Sequence, residues 1–163
     1  MGMQTDVKST HIMVGTSGLV VNGRTRLKGA VVSNSVSGTP ANVAFANNTS
    51  VSGTYTTSTT TCTITIPGGH NLGTGMRVLV VFTSGTNPTG PYTVTVTGAT
   101  TFTITVPSSS QTGNVTVYPT ILMEVDITNS VPVNVLIPGE GILATDGIYC
   151  GVPTNIAATV FYG

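Results

Sequence analysis

The feature that most constrains the fold is an alternation of threonine with β-branched or aromatic residues through the middle of the chain. It is clearest at 61–66 (TCTITI), 92–97 (YTVTVT) and 101–106 (TFTITV), and the segments between these runs are rich in Gly and Pro. Because successive side chains of a strand point to opposite faces, a period of two places Thr in water and Ile, Val and Phe in a core. The apolar run 77–82 and the run 114–118 are bounded in the same way. Short strands at this spacing predict a small sandwich or barrel.

The two ends of the chain contain shorter segments of the same kind. Gly and Pro interrupt the chain too often for a helix, and no segment repeats apolar residues at the helical spacing over a dozen positions. We therefore predict an all-β protein, with a sandwich or barrel built from both chain ends and a smaller barrel-like domain from the middle. The terminal segments interpreted as strands are 12–14, 19–21, 24–32, 121–127, 131–137, 148–150 and 159–162.

Charged residues are scarce and unevenly placed. They make up 6% of the chain, against about 25% in an average globular protein, and Arg77 is the only one between the two charged ends. We interpret the ends, 1–40 and 120–163, as one discontinuous trunk domain, and the neutral middle, 41–119, as a β domain inserted into it. Within the middle, 51–61 is dense in Thr and Ser and has no apolar period, and 41–60 is predicted to be a linker or arm.

Two sets of like charges lie at matching spacings. Arg24, Arg26 and Lys28 share one face of a predicted strand, and Glu124 and Asp126 share one face of another. The carboxylates are suited either to a hard cation or to pairing with the basic strand, across a sheet or a subunit boundary, and the matching spacing favours pairing. These five residues are predicted subunit contacts. Three basic residues on a chain of zero net charge are weak grounds for a nucleic-acid site, so no nucleic-acid partner is expected.

Residues that catalyse reactions or bind metals are few and scattered. His11 and His70 fall in different predicted domains, and no cluster of metal ligands is visible, so we expect no enzyme activity, cofactor or metal. We interpret His70 as a loop residue whose side chain bonds nearby backbone. Cys62 and Cys150 are interpreted as buried small hydrophobes. A disulfide between them stays open, because sequence does not show whether their Cα atoms are close.

The chain lacks the signature of a membrane protein. No apolar run approaches the roughly 18 residues of a membrane-spanning helix, and the start shows no secretory signal. A neutral chain with so few charges favours association, so we expect partner subunits to cover part of its surface.

Several segments resemble small structural proteins of the virions of tailed bacteriophages, notably aquatic, cyanobacterial phages. At the chain ends these are 24–29 (RTRLKG), 133–142 (VNVLIPGEGI) and 160–163 (VFYG). In the middle, which resembles a β-module recurrent in phage structural proteins, they are 70–72 (HNL), 75–78 (GMRV), 82–86 (FTSGT), 90–94 (GPYTV), 100–104 (TTFTI) and 113–117 (GNVTV). In the segment 75–78, the module often carries an acidic residue after the glycine, where this chain has Met76.

The resemblance implies a non-enzymatic virion protein, assembled in the host cytoplasm. Our leading expectation is a capsid decoration or cement protein on the outside of the shell, forming a homo-oligomer such as a trimer and contacting the major capsid protein or other virion proteins. The alternative is a tail, collar or fibre-associated adhesion component. A carbohydrate-binding module or hydrolase ranks last, because sugar binding generally uses aromatic platforms and the chain has no Trp.

Overall fold

The computed structural model describes residues 6–36, 40–128 and 131–163, and within those ranges it contains fourteen strands and no helix. The prediction of an all-β protein is therefore confirmed. In chain order the strands are β1 (Lys8–Ile12), β2 (Gly18–Asn22), β3 (Thr25–Asn34), β4 (Ala41–Asn47), β5 (Val51–Thr65), β6 (Arg77–Phe82), β7 (Gly90–Thr93), β8 (Thr95–Val96), β9 (Thr101–Tyr118), β10 (Ile121–Ile127), β11 (Val133–Leu136), β12 (Ile142–Ala144), β13 (Gly147–Gly151) and β14 (Ile156–Tyr162).

The chain divides into two compact units. One, which we call the trunk unit, combines Met1–Asn48 with Leu122–Gly163, and the other, the middle unit, is Thr49–Ile121. The sequence-based boundaries had placed 41–48 in the middle. The difference arises because β4 pairs with β13 of the trunk unit, with Phe45 opposite Cys150.

The trunk unit is a sandwich of two sheets. The first sheet has the order β1-β14-β3-β11, with β12 also beside β3, and the second has the order β10-β4-β13-β2. If β11 and β12 are counted as one interrupted strand, the sandwich has eight strands. Successive strands of the sandwich alternate between the two sheets, except that β4 and β10 lie in the same sheet. This strand order is that of a jelly roll.

The two sheets of the trunk unit share one apolar core. This core forms because successive side chains of each strand point alternately inward and outward. In β3, Leu27 is fully buried while Arg26 and Lys28 on either side face outward. In β10, Val125 and Ile127 are likewise buried. The largest buried side chains of this core are those of Leu27, Val32, Val43, Phe45, Ile127, Ile148 and Ile156.

The middle unit is one sheet of order β5-β9-β6-β7, with β8 also beside β9, and the sheet nearly closes into a barrel. β5 and β9 pair along almost their whole length, from Val51 opposite Val117 to Thr65 opposite Thr101. The register breaks between Thr59 and Thr61, and Thr59 adopts a positive φ of 56°. An irregularity of this kind bends a ribbon, which brings the inner faces of its two halves around one core.

Two sequence-based interpretations of the middle of the chain are wrong. The segments 101–106 and 114–118 are one strand, β9, because exposed Pro107 lies at the register break, where a strand tolerates a missing N–H. The segment 41–60 is not a linker or arm, since it contains β4 and most of β5. Small residues hid β4, in which Ala44 and Ala46 are buried together with their apolar neighbours.

Gly53 allows the two ends of β5 to approach each other. A Cβ at this position would overlap the carbonyl oxygen of Thr65 and lie 2.6 Å from Cδ1 of Ile66, which is part of the buried core. Only a residue without a side chain fits between these atoms, so Gly53 is a point on which closure of the barrel depends.

We therefore expect Gly53→Ala to destabilise the middle unit by about 1–3 kcal/mol, the usual cost of overpacking. Gly68→Ala is the matched control, because a Cβ there would meet no atom within 4 Å. Urea unfolding followed by far-UV circular dichroism would measure both. An equal midpoint for Gly53→Ala and wild type would show that β5 does not close on itself.

Three aromatic rings pack edge to face at one end of the middle unit. The Phe82 ring centroid lies 4.9 Å from that of Tyr55 and 6.3 Å from that of Tyr92. Tyr55 donates its hydroxyl to the carbonyl of Ser84 at 2.8 Å, and Tyr92 donates to that of Pro88. Burial raises the pKa of Tyr92 to about 12, with a smaller contribution from the neighbouring charge of Cys62. The folded middle unit thus holds the Tyr92 proton more tightly than the unfolded chain does.

This raised pKa predicts an alkaline loss of stability. The contribution of neutral Tyr92 is fully present below the unfolded pKa of about 10 and is lost as the pH rises through the folded pKa of about 12. The free energy of unfolding, measured in urea at pH 9 to 12, should fall over this window. Tyr92→Phe should fall less steeply. An identical pH dependence for both proteins would contradict the assignment, and absorbance at 295 nm should show that wild type retains an un-ionised Tyr that Tyr92→Phe lacks.

Candidate protein-interaction site

Four of the five Lys and Arg residues of the chain line one groove of the trunk unit, with a volume of about 1120 Å³. We call it the basic groove. Its charged lining residues are Asp6, Lys8, Arg24, Arg26, Lys28 and Glu140, and its apolar ones include Val7, Leu136, Leu143 and Tyr162. Cationic side chains outnumber acidic ones by four to two, so the groove is positive on a chain of zero net charge.

The register of the first sheet brings these residues to one end of the sandwich. Tyr162, at the end of β14, lies opposite both Lys8 of β1 and Leu27 of β3. Leu136, at the end of β11, lies opposite Gly29. The start of β3 is therefore flanked by the end of β14 on one side and by β12, with the β11–β12 turn beyond it, on the other.

Glu140, in the β11–β12 turn, organises part of the groove. Its Oε2 lies 3.7 Å from Nε of Arg26, and its main-chain carbonyl accepts a hydrogen bond from Nζ of Lys28 at 2.9 Å. Gly141, with φ of 78°, lets the turn pass close to the carbonyl of Leu27. The Glu140 side chain is 86% exposed, so this ion pair contributes under about 1 kcal/mol.

The remaining lining is available to a ligand. Within the described part of the chain, the side chains of Lys8 and Arg24 form no hydrogen bond or ion pair, and both are exposed. Leu136 is 84% exposed and Leu143 is 37% exposed. Cations beside accessible leucines form the kind of surface that binds an acidic, partly apolar protein segment.

A second charged surface lies on the other sheet. Asn42 of β4 donates its amide to Oδ1 of Asp126 at 2.6 Å and to Oε2 of Glu124 at 3.4 Å. We call these three residues the acidic edge, because β10 ends the second sheet. Their neighbours Val43 and Val125 are buried, so the acidic side chains face away from the core. Oδ1 of Asn42 is buried without a hydrogen-bond partner among the described residues.

In the structure, the predicted contact residues form two separate sets. Arg24, Arg26 and Lys28 lie together in the basic groove, and Glu124 and Asp126 lie together on the acidic edge. Because the sets point outward from opposite sheets, they do not face each other across a sheet of one chain. The sequence alone does not predict the part of Glu140 in the groove, although two flanking glycines mark its turn.

The histidines belong to different units and bond locally. Nε2–H of His70 donates to the carbonyl of Gly98 at 3.0 Å, and the N–H of Leu72 donates to Nδ1 at 3.0 Å. The His70 ring is buried against the edge of Phe102. Its predicted role in bonding loop backbone is confirmed. His11 lies in β1, where Nδ1 is 3.2 Å from Oγ1 of Thr159.

The cysteines are buried and free. Cys62 lies in the core of the middle unit and Cys150 in that of the trunk unit. Burial raises the pKa of both thiols, although a hydrogen bond from Thr57 partly offsets the effect on the pKa of Cys62. Their interpretation as small core hydrophobes is confirmed, and they do not form a disulfide.

A buried polar cluster in the middle unit has a structural role. The side-chain amide of Asn87 donates to Oγ1 of Thr57 at 2.8 Å, and its carbonyl accepts from Gln111 at 2.8 Å and from Ser109 at 3.0 Å. The β6–β7 loop is thereby fastened to β5 and β9. Sequence offered no signal for this cluster, because Asn, Thr and Ser occur throughout the chain.

The described residues contain neither a cluster of metal ligands nor a membrane-spanning helix. No three His, Cys, Asp or Glu side chains in 6–36, 40–128 and 131–163 cluster closely enough to hold a metal ion. In the same ranges, no helix has the length and hydropathy of a membrane span.

The function of the chain has to be inferred from its two charged surfaces rather than from known relatives. No protein-family model matches the chain, and neither a curated protein nor a solved structure matches it.

Proposed function

We propose that the chain is a non-enzymatic structural protein of a tailed-bacteriophage particle, and that it acts as a decoration or cement subunit on the outside of the capsid. One observation carries the proposal. The three trunk segments that resemble phage virion proteins, 24–29, 133–142 and 160–163, are far apart in sequence but all contribute to the lining of the basic groove. Within the trunk unit, the resembling segments thus reach the same surface, which is expected when that surface has a role shared with the phage proteins.

The architecture is compatible with this role. Jelly rolls are common in viral capsid domains but also occur in lectins and cupins, so the fold alone does not decide between functions. The basic groove favours a protein partner, since exposed leucines accompany its cations and it is lined from several strands.

A cement protein works by linkage. A ligand that binds the assembled shell and not its dissociated subunits stabilises the shell, and the gain rises with the occupancy of each site. Repetition of a weak contact over a symmetric lattice adds avidity. In this proposal Arg24, Arg26, Lys28, Glu124 and Asp126 contact neighbouring subunits, whether the major capsid protein or other copies of the chain.

The middle unit suits contact with a neighbour rather than an isolated existence in water. Arg77 is its only charged residue, and its surface presents mainly Thr and Ser hydroxyls. Hydroxyl-rich surfaces are hydrated without strong charge repulsion, so they approach other neutral surfaces at low cost.

The proposal predicts that particles lacking this protein rupture at lower temperature. Deletion of its gene should lower the temperature of DNA release, measured with a fluorescent DNA dye during heating. Purified wild-type protein should restore it, whereas an Arg24→Gln, Lys28→Gln variant should not. Arg77→Gln is the matched control and should restore as well as wild type, because Arg77 lies outside the groove.

Copy number separates the decoration role from the tail alternative. Quantitative mass spectrometry of purified particles should find the chain at a level comparable to that of the major capsid protein. A few copies per particle, with an unchanged rupture temperature on deletion, would instead place the chain in the tail, collar or fibres. Absence from purified particles would overturn the virion role.

A further inference from the structure

We infer that the basic groove of one copy binds the acidic edge of a second copy, so that the chain assembles head to tail into a closed ring. The inference rests on the proposed function in one respect only: it identifies a second copy of the chain as one of the neighbours that a virion subunit contacts. Its basis is charge complementarity between two surfaces of the same chain, which lie on opposite sheets and so do not pair within one molecule.

The basic residues are concentrated at one surface, and the four that line the groove exceed its two acidic residues, Asp6 and Glu140, by two. The whole chain has five basic and five acidic residues. Four of the basic ones line the groove, and two of the acidic ones lie side by side on β10. On a chain with so few charges, this distribution leaves one positive and one negative surface in the trunk unit. Such surfaces attract each other between copies and resist pairing of like with like.

The spacing of the two sets matches. Glu124 and Asp126 are two residues apart on one face of a strand, and so are Arg26 and Lys28. Residues i and i+2 of a strand lie about 7 Å apart, because each residue rises about 3.3 Å. Two carboxylates are therefore able to face two cations when β10 of one copy lies along the start of β3 of the next.

Two groove cations are ready for such a contact. Arg24 and Lys8 are exposed, and neither side chain has a partner within the described ranges. Arg26 and Lys28 are already held by Glu140, so their positions are partly fixed before a partner arrives. Exposed Leu136 and Leu143 would exclude water around the ion pairs, which strengthens the pairs.

A contact between two different surfaces has a consequence for assembly. Each copy offers one groove and one edge, so every interface leaves one of each unused until the last copy closes a ring. An isologous pair would require each copy to place its groove on the other's edge at the same time, and the position of the two surfaces on opposite sheets disfavours this. Contacts between two different surfaces give a ring when the rotation from copy to copy closes and an open filament when it does not, and the species expected here is the ring of fixed size rather than a two-fold dimer.

The test uses two variants of the purified full chain that neutralise one surface each. The groove variant is Arg24→Gln with Lys28→Gln, and the edge variant is Glu124→Gln with Asp126→Asn. Arg77→Gln is the control that removes a cation from neither surface. Unchanged far-UV circular dichroism and thermal unfolding of the monomer would show that each variant folds, as expected for outward-facing side chains.

Native mass spectrometry and light scattering should then give four results. Wild type and Arg77→Gln should form one ring species at low salt, and high salt should weaken it. The groove variant and the edge variant should each self-associate at least tenfold more weakly. An equimolar mixture of the two should form a one-to-one heterodimer and nothing larger, because only one intact groove and one intact edge remain between them.

Other outcomes overturn the inference. A wild type that is still monomeric at about 100 μM would do so, because the Kd of self-association would then lie above about 100 μM. Oligomers unaffected by either variant, or sensitive to only one, would also do so, as would a mixture that fails to pair. These results are independent of the proposed function. Monomers found on particles at capsid-protein copy number would remove the ring and keep the virion role, whereas rings absent from particles would do the reverse.

Discussion

The strands of this chain have apolar faces that must be covered, on one side in strands such as β3 and β10 and on both sides in β4 and β6, and the rest of the structure follows from how that is achieved. The trunk unit covers the apolar faces of β3 and β10 by placing two sheets against each other, with Leu27 and Ile127 in a common core. The middle unit lacks a second sheet and bends one long ribbon around its own core instead. Both units rely on the same alternation of side chains. They differ in where the chain changes direction: the trunk unit turns between strands of two sheets, whereas the middle unit bends within one long pair of strands.

The same alternation also creates the functional surfaces. Each buried residue of a strand implies an outward-facing neighbour, so burial of Leu27 presents Arg26 and Lys28, and burial of Val125 presents Glu124. The antiparallel register then decides which outward residues share a surface. The basic groove is thus a direct product of how β1, β14, β3 and β11 are aligned.

This dependence explains how much the sequence predicted. Local alternation identified β10 and the face on which Arg26 and Lys28 lie, and a continuous apolar run identified β6, because period and burial are properties of one strand. It missed β4, whose small alanines show no period, and it divided β9 at Pro107, which the register break at Thr59 accommodates. Pairing between strands from distant parts of the chain determines which charged residues share a surface. The separation of the basic and acidic sets and the contacts of Glu140 are therefore visible only in the structure.

Three of the charges in the trunk unit lie on strands that end a sheet, where a β protein is most exposed to unwanted pairing. Edge strands invite addition of another strand, and charged side chains on them are a common protection. Lys8 lies on β1, which ends the first sheet, and Glu124 and Asp126 lie on β10, which ends the second. In the middle unit, which has no such charges on β5, the bend at Thr59 and the approach of Gly53 to Thr65 limit the open edge instead. Charges that deter indiscriminate pairing also select a partner of opposite sign, so protection of the trunk edges and the proposed head-to-tail contact have one physical origin.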